Sequence, residues 1–256
     1  MTNDTHKAAG RGLCTSILAL DISAAIDAVY HDKLLDHALT VFDIDDVALD
    51  GIRSFVTERT QQIVVGSDKS TVFSSKSGVP QGSVLGPILF GKYVSPFGDV
   101  IAQHRVHYYQ YAYDMPLYVS LRPHDCVTIP SLNQCATDVS RWSTENVLLL
   151  NHTKTEAVIF EISKRIRQVP STPGVLVAGA NAKFSDAVKL LGVTLDSALT
   201  FDKHIMNVTR CCHYHTRALR HIRPLLTLDT ANTIATSCCT VCRRRILIGY
   251  SVRRMF

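Results

Sequence analysis

The sequence predicts an α+β fold, and three observations support that prediction. An apolar run over 16–20 has the length of a buried strand and ends at Asp21. Two runs rich in tyrosine and valine within 107–120 predict a β-hairpin with an acidic tip. Residues 126–145 and 202–223 have the length and apolar spacing of helices. Strands and helices therefore mix along one chain, as in α+β domains.

The other elements follow in chain order from apolar spacing and turn signals. They are a helix over 23–39, a helix over 46–55, a hairpin over 61–75, a charge-free loop and helix over 78–90, short strands at 148–150 and 157–160, and a strand over 189–195. No internal repeat or low-complexity tract interrupts this order.

The composition excludes several classes of protein. The chain has 256 residues, of which 46% are hydrophobic and 19% charged, so it can form a real core and is neither a disordered tail nor a small disulfide scaffold. No run approaches the roughly 18 uninterrupted apolar residues of a membrane span, and we expect no membrane partner. Eight cysteines without regular spacing favour an intracellular protein of the nucleus or cytoplasm.

Positive charge is concentrated near the C-terminus. Residues 1–200 carry 17 Lys/Arg against 20 Asp/Glu, whereas residues 201–256 carry 10 against 2. Such a segment suggests contact with a polyanion, with nucleic acid as the first interpretation and a membrane surface as the second. Within the 202–223 helix, one face has an apolar seam and another is cationic. The seam is Ile205, Val208, Cys212, His215, Leu219 and Ile222, and the candidate nucleic-acid contacts are Arg210, Arg217, Arg220, Arg243, Arg244 and Arg245.

Five sequence blocks occur in an order typical of one family. They are LALDISAAID, SGVPQGSVLGPILF, QYAYDMPLY, LNHTKTEAVIF and KLLGVTLD. From about Ile17 to about Cys238 the chain resembles the reverse transcriptase domain of LINE-type (non-LTR) retrotransposons, as a truncated and degenerate member. The GVPQGSVLGP block is the most diagnostic because it is long and unusual in composition.

The resemblance implies a right-hand polymerase palm followed by a partial helical thumb. We expect an antiparallel sheet with Asp21 and Asp114 on adjacent strands. The expected divisions are an N-terminal extension over 1–15, the palm over 16–196 and a basic thumb remnant over 197–256. Only twenty residues precede Asp21, where the family has a longer fingers region, so we expect the fingers to be largely missing.

The resemblance also implies a metal site and a template–primer site. Nucleotidyl transfer uses two divalent ions, Mg or Mn, held by converging carboxylates. Asp21 and Asp114 would be the metal ligands, but Tyr113 replaces the first aspartate of the family's hairpin pair, and we expect any metal binding to be weak. Lys154 matches a lysine near the leaving pyrophosphate, although a solvated surface lysine would have the same spacing. Ile26, Gln81 and Gly82 match positions that contact the nucleotide and the template, RNA or DNA.

Further departures from the family accompany Tyr113. Ile26 stands where the family has an aromatic residue, Tyr30 for an aspartate, Val147 for a glycine and His152 for a proline. They favour a catalytically inactive domain derived from a retrotransposon polymerase that retains nucleic-acid binding. Two alternatives stay open: an active RNA-directed DNA polymerase with two Mg ions, and a structural or interaction remnant.

Overall fold

The computed structural model describes residues 2–112, 114–122, 128–160 and 174–237, and every structural statement below refers to these residues. The helices are α1 (Thr2–Gly10), α2 (His31–Phe42), α3 (Asp46–Val56), α4 (Leu85–Val94), α5 (Phe97–Ala102), α6 (Thr128–Glu145) and α7 (Asp202–Ile222). A 3-10 turn, Arg223–Leu225, follows α7, and residues 228–237 are helical.

Fifteen strands lie among the described residues. They are β1 (Cys14–Leu20), β2 (Ile22–Ser23), β3 (Thr60–Gln61), β4 (Val64–Val65), β5 (Asp68–Lys69), β6 (Phe73–Ser74), β7 (His107–Tyr108), β8 (Met115–Leu121), β9 (Leu149–Leu150), β10 (Glu156–Phe160), β11 (Val175–Val177), β12 (Ala180–Ala182), β13 (Phe184–Ser185), β14 (Ala187–Leu190) and β15 (Val193–Asp196).

A five-stranded sheet in the order β13-β10-β1-β8-β7 organises the fold. β1 is its central strand and pairs antiparallel with both β10 and β8. A strand buried on both faces needs an almost continuous apolar sequence, and CTSILAL provides it. The α+β prediction is confirmed, with one correction: β13 joins β10 in parallel, so the sheet is not wholly antiparallel.

The two faces of the sheet are covered differently. Leu18, Leu20 and Met115 belong to a large core shared with the helices α4, α5 and α6. Ile17 and Tyr118, which alternate with them along the same strands, belong to a smaller core formed with β14, β15 and the residues just before α7, Leu199 and Phe201. One face is therefore buried by α4, α5 and α6. The other packs against the β14/β15 hairpin and the residues that lead into α7, and its Tyr118 hydroxyl donates to Asp4 of α1.

The predicted helix over 23–39 is wrong in its first half. Residues 24–28 form a turn and α2 begins at His31. Ala24 adopts a left-handed backbone with φ 47°, which interrupts a helix. The backbone of this turn instead bonds a distant loop: the Val79 N–H donates to the Ile26 carbonyl at 3.1 Å.

The predicted strand over 189–195 is also wrong, because the chain reverses in its middle. Leu190 and Val193 close a hairpin between β14 and β15. Leu191 and Gly192 are its two loop residues and both have positive φ, 48° and 80°. Positive φ at both positions is the type I′ geometry that suits the twist of a two-residue hairpin.

The apolar seam predicted on α7 is fully buried only near the helix start. His204, which lies outside that seam, and Val208 are buried, whereas His215 and Ile222 are exposed. The small core includes no residue after Phe201, and Val208 is the last buried apolar residue of α7. No helix of the described residues has both the length and the apolar character to cross a membrane.

Candidate active site

Asp21 and Asp114 lie side by side at one end of the central strand pair. Asp21 directly follows β1, and Asp114 directly precedes β8. The last paired residues in this register are Leu20 and Met115, so the next step sets the two aspartates opposite each other. Since Leu20 and Met115 face the helices, strand alternation sets both aspartates on the other face. Both residues are half-buried.

A tight turn precedes Asp114. The backbone N–H groups of Tyr111 and Asp114 each donate to the other residue's carbonyl at 3.0 Å. Ala112 adopts a left-handed backbone, φ 53°, as the first residue inside this pair. Tyr113, which replaces the family's first hairpin aspartate in sequence, lies outside the described residues.

The environment of Asp114 disfavours its negative charge. Burial raises the pKa of Asp114, and the negative charge of Asp21 raises it further. The charged form of Asp114 is therefore disfavoured where it stands. The positive charge of a divalent cation between the carboxylates would offset that repulsion. Mg²⁺ suits this position, because it prefers carboxylate oxygens and water as ligands.

The number of metal ions that this site can hold depends on how many side-chain ligands it offers. Among the described residues no group of three or more His, Cys, Asp or Glu side chains converges on a metal position. Asp21 and Asp114 suit one Mg²⁺ or Mn²⁺ that keeps several waters. Two carboxylates do not provide the shared ligands of a two-ion centre.

The turn that carries Lys154 is tied to the aspartate strand. The Asn151 N–H donates to the Asp21 carbonyl at 2.8 Å. The Asn151 side-chain oxygen accepts from the N–H and the hydroxyl of Thr153, at 3.1 and 2.7 Å, which fixes the turn. Lys154 is exposed on it, on the segment that follows β9.

The Gly/Pro loop lies against the turn that follows Asp21. The Gly78 N–H donates to the Val29 carbonyl at 2.8 Å, and the Gln81 amide donates to both oxygens of Asp27, at 3.1 and 3.3 Å. Gly78 has φ 90°, and a Cβ there would lie 3.4 Å from the Asp27 backbone. Glycine permits both the backbone conformation and the close approach. Gln81 and the half-buried Ile26 therefore belong to one structural unit with the aspartate strand.

A polar cleft of about 450 Å³ opens beside this loop. It is lined by Asp27, Arg59 and residues 60–61, 75 and 77–81. Gly82 follows directly and is exposed with φ 81°. No local sequence pattern marks Asp27 or Arg59 as a site residue, because the cleft forms only where segments distant in sequence meet; Asp27 and Gln81 are 54 positions apart.

Three of the six candidate nucleic-acid-binding arginines lie among the described residues. Arg210, Arg217 and Arg220 are exposed on α7. Arg243, Arg244 and Arg245 lie outside the described residues.

Known proteins are similar to this chain in sequence. The family model described as reverse transcriptase (RNA-dependent DNA polymerase) matches residues 1–195. The RNA-directed DNA polymerase from mobile element jockey of Drosophila melanogaster is 32% identical over 195 residues, which are 74% of this chain and 20% of the relative. The probable RNA-directed DNA polymerase from transposon BS of the same species is 26% identical over 88% of this chain and 25% of its own length.

A solved structure shares the fold. Apo telomerase from Candida tropicalis matches with a TM-score of 0.54 at 11% identity, over 98% of this chain and 45% of the telomerase chain. This likeness supports the polymerase palm as the fold class, and the chain spans about a fifth to a quarter of the two curated relatives. The chain therefore belongs to the reverse transcriptase (RNA-dependent DNA polymerase) family, and its resemblance to the polymerases of non-LTR retrotransposons is confirmed.

Proposed function

We propose that this chain is a catalytically inactive reverse transcriptase domain that still binds a template–primer duplex of RNA or DNA. The observation that carries the proposal is the site itself. Among the described residues, no third His, Cys, Asp or Glu joins Asp21 and Asp114 as a metal ligand, and the sequence has Tyr113 where the family has a third carboxylate. A palm with this site keeps the surface for a duplex but lacks a full set of metal ligands.

The missing carboxylate is sufficient to stop the chemistry. Two-metal nucleotidyl transfer stabilises the attacking and the leaving oxygens with a pair of ions about 4 Å apart. A tyrosine phenol has an ordinary pKa of about 10, so at neutral pH it offers no negative charge to such ions. Its ring is also larger than an aspartate side chain and would occupy space near the ions.

The remaining family positions have supporting roles in this proposal. Gln81 and Gly82 form the floor beneath the templating base, with Gln81 held in place by Asp27. Ile26 would contact the sugar less closely than an aromatic side chain does. Lys154 would face the phosphates of an incoming nucleotide from the turn attached to Asp21. Mg²⁺ or Mn²⁺ would be a weakly bound ion of Asp21 and Asp114.

The first experiment is primer extension by the purified chain. With an RNA or DNA template, a DNA primer, deoxynucleotides and either Mg²⁺ or Mn²⁺, we expect no template-directed product. The loss of a shared metal ligand costs several kcal/mol of transition-state stabilisation, and hence orders of magnitude in rate. Incorporation that disappears in Asp21→Ala would contradict the proposal, because it would show that two carboxylates suffice.

The second experiment restores the carboxylate. Tyr113→Asp should tighten Mn²⁺ binding, measured by calorimetry or electron paramagnetic resonance, since hard cations bind more tightly as carboxylate ligands are added. Tyr113→Asn is the matched control, because it has the size of aspartate without the charge. Equal Mn²⁺ affinity in the two variants would show that position 113 does not face the ion.

A further inference from the structure

We infer that this chain self-associates head to tail, with the basic face of α7 from one copy lying along the acidic face of α2 from a second copy. The acidic face consists of Asp32, Asp36, Leu39 and Asp43, and the basic face consists of Arg210, Tyr214, Arg217 and Arg220. This interaction surface lies outside the aspartate site, and the inference does not rest on the proposed function.

The acidic face is the solvent side of α2. The helix turns His31, Leu34, Leu35, His37 and Ala38 towards the protein, where they are buried. The four residues of the acidic face follow one another at intervals of 4, 3 and 4 residues, and all four are exposed. Side chains with this spacing lie on one line along a helix. The solvent side of α2 is therefore a negative stripe with an exposed leucine in its middle.

The negative charge of this region has little compensation within the chain. The span 32–50 contains six aspartates and one cation, Lys33. Among the described residues, Asp50 is the member of this group that forms an ion pair, with Arg53 at 3.7 Å. The carboxylates of the acidic face are therefore available to a cationic partner.

The basic face of α7 has the complementary composition. Arg210, Tyr214 and Arg217 follow one another at intervals of 4 and 3 residues, and Arg220 lies one turn further on. All four are exposed, and Tyr214 is 70% exposed to solvent. No carboxylate of the described residues forms an ion pair with these arginines. α7 therefore presents cations with an aromatic ring between them.

The two faces match in spacing when the helices run antiparallel. Asp43 then lies beside Arg210, Leu39 beside Tyr214, and Asp36 beside Arg217, because the intervals of 4 and 3 residues are the same in both helices. The outer charges of each face are seven residues apart, or about 10 Å at the rise of an α-helix. Each carboxylate thus meets a guanidinium, and the apolar side chains meet between them.

The two faces belong to parts of the fold that lie apart within one chain. α2 contributes Leu34 to the large core, while Leu199 and Phe201, which lead into α7, belong to the small core on the other sheet face. Among the described elements, α2 packs against α3 and α4, whereas α7 packs against β15. The faces can therefore pair between copies, and a contact between two different patches repeats head to tail.

The first test follows self-association of the full chain by sedimentation velocity. At low salt the mean sedimentation coefficient should rise with protein concentration and continue beyond the value of a dimer. Exposed ion pairs are individually weak and screened by salt, so about 1 M salt should strongly reduce the effect. A chain that stays monomeric at low salt overturns the inference, and a separate partner would then occupy the acidic face.

Two triple variants remove one face each. Asp32→Asn, Asp36→Asn and Asp43→Asn neutralise the acidic face, and Arg210→Gln, Arg217→Gln and Arg220→Gln neutralise the basic face. Asparagine suits position 43, because the φ of 49° at Asp43 is left-handed and asparagine adopts that region readily. Each triple variant should weaken self-association by about tenfold, since three ion pairs are lost.

Mixing the two variants gives the decisive measurement. The acidic-face variant keeps its arginines and the basic-face variant keeps its aspartates, so the mixture has one intact interface. With one variant labelled with a fluorophore, the mixture should form a 1:1 heterodimer at the affinity of the unmodified contact and grow no further. Recovery of binding also shows that both variants are folded. A mixture that associates no better than either variant alone overturns the inference.

Matched controls separate this contact from net charge. Glu58→Gln, Asp68→Asn and Asp99→Asn together remove three exposed negative charges outside the acidic face, and Arg11→Gln, Arg53→Gln and Lys183→Gln together remove three exposed positive charges outside the basic face. Both control variants should self-associate as the unmodified chain does. A loss in either control equal to that of the corresponding face variant overturns the inference.

Discussion

Val147 has a backbone conformation that its side chain disfavours. It lies between α6 and β9 with φ 57°, in the left-handed region. A β-branched residue is strained there because Cβ approaches backbone oxygens, whereas glycine is not. Half of the valine is exposed, so burial does not offset that strain. This geometry explains why the family has glycine at the matching position. Valine at this position lowers the stability of the fold.

Val147→Gly should therefore stabilise the protein, by roughly 0.5–1 kcal/mol after the entropy that glycine loses on folding. Urea denaturation with a constant m-value measures the change. Val47→Gly is the control, because Val47 is an 85% exposed valine within α3 without positive φ. That substitution should cost a few tenths of a kcal/mol. Destabilisation by Val147→Gly would show that the valine side chain packs more than it strains.

At the scale of elements, α1 is attached to the sheet by a charged side chain. Asp4 accepts from the Tyr109 and Tyr118 hydroxyls at 2.8 and 3.0 Å, and the two tyrosine rings stack with centroids 5.4 Å apart. These bonds, first from Tyr109 and then from Tyr118, lower the pKa of Asp4 from 3.8 to about 2. The attachment joins the N-terminal helix to the hairpin that leads to Asp114.

The lowered pKa of Asp4 predicts a pH-dependent contribution to stability. A carboxyl whose pKa is lower in the folded state stabilises the fold above its unfolded value near 4, and that contribution is lost as the pH falls towards 2. Asp4→Asn should therefore lower the melting temperature at pH 6 and have little effect near pH 2. Tyr214→Phe, which removes an exposed hydroxyl on α7, is the control. A constant difference across this range would show that the charge of Asp4 is not what holds α1.

The sequence predicts an element correctly where local apolar spacing determines it. It fails where contacts between distant segments determine the structure. The strand before Asp21 and the helix α6 follow directly from apolar spacing, and so do the two aspartates at strand ends. The turn after Asp21 was missed because its carbonyls bond the loop near Val79 instead of continuing a helix. Arg59 was missed for the same reason, since its cleft exists only when hairpin and loop meet.

At the scale of the whole molecule, the C-terminal part of the chain is both the most basic and the least buried. The first 200 residues are slightly acidic, while the last 56 carry ten Lys/Arg against two Asp/Glu. The basic helix α7 is buried only near its start, at His204 and Val208. It begins on the sheet face that carries Asp21 and Asp114, away from the large helical core. Duplex phosphates that reach the aspartates would therefore meet α7 on that same face.

The basic face of α7 should provide most of the affinity for a duplex. Replacing Arg210, Arg217 and Arg220 together with glutamine should weaken binding of a blunt RNA·DNA duplex at low salt. The slope of log K against log salt should fall by up to about 0.9 for each phosphate contact removed, because each contact releases counterions. Anisotropy titrations between low and moderate salt measure both quantities.

A second triple variant makes this prediction specific to α7. Arg11→Gln, Arg53→Gln and Lys183→Gln together remove the same charge from exposed positions elsewhere in the chain. If phosphates contact α7, this control should retain the salt slope of the unmodified chain, since long-range attraction between separated charges is largely screened beyond about 10 Å at 0.1 M salt. If both triple variants lower the slope equally, binding depends on net charge alone, and the cationic face of α7 is a solvated surface.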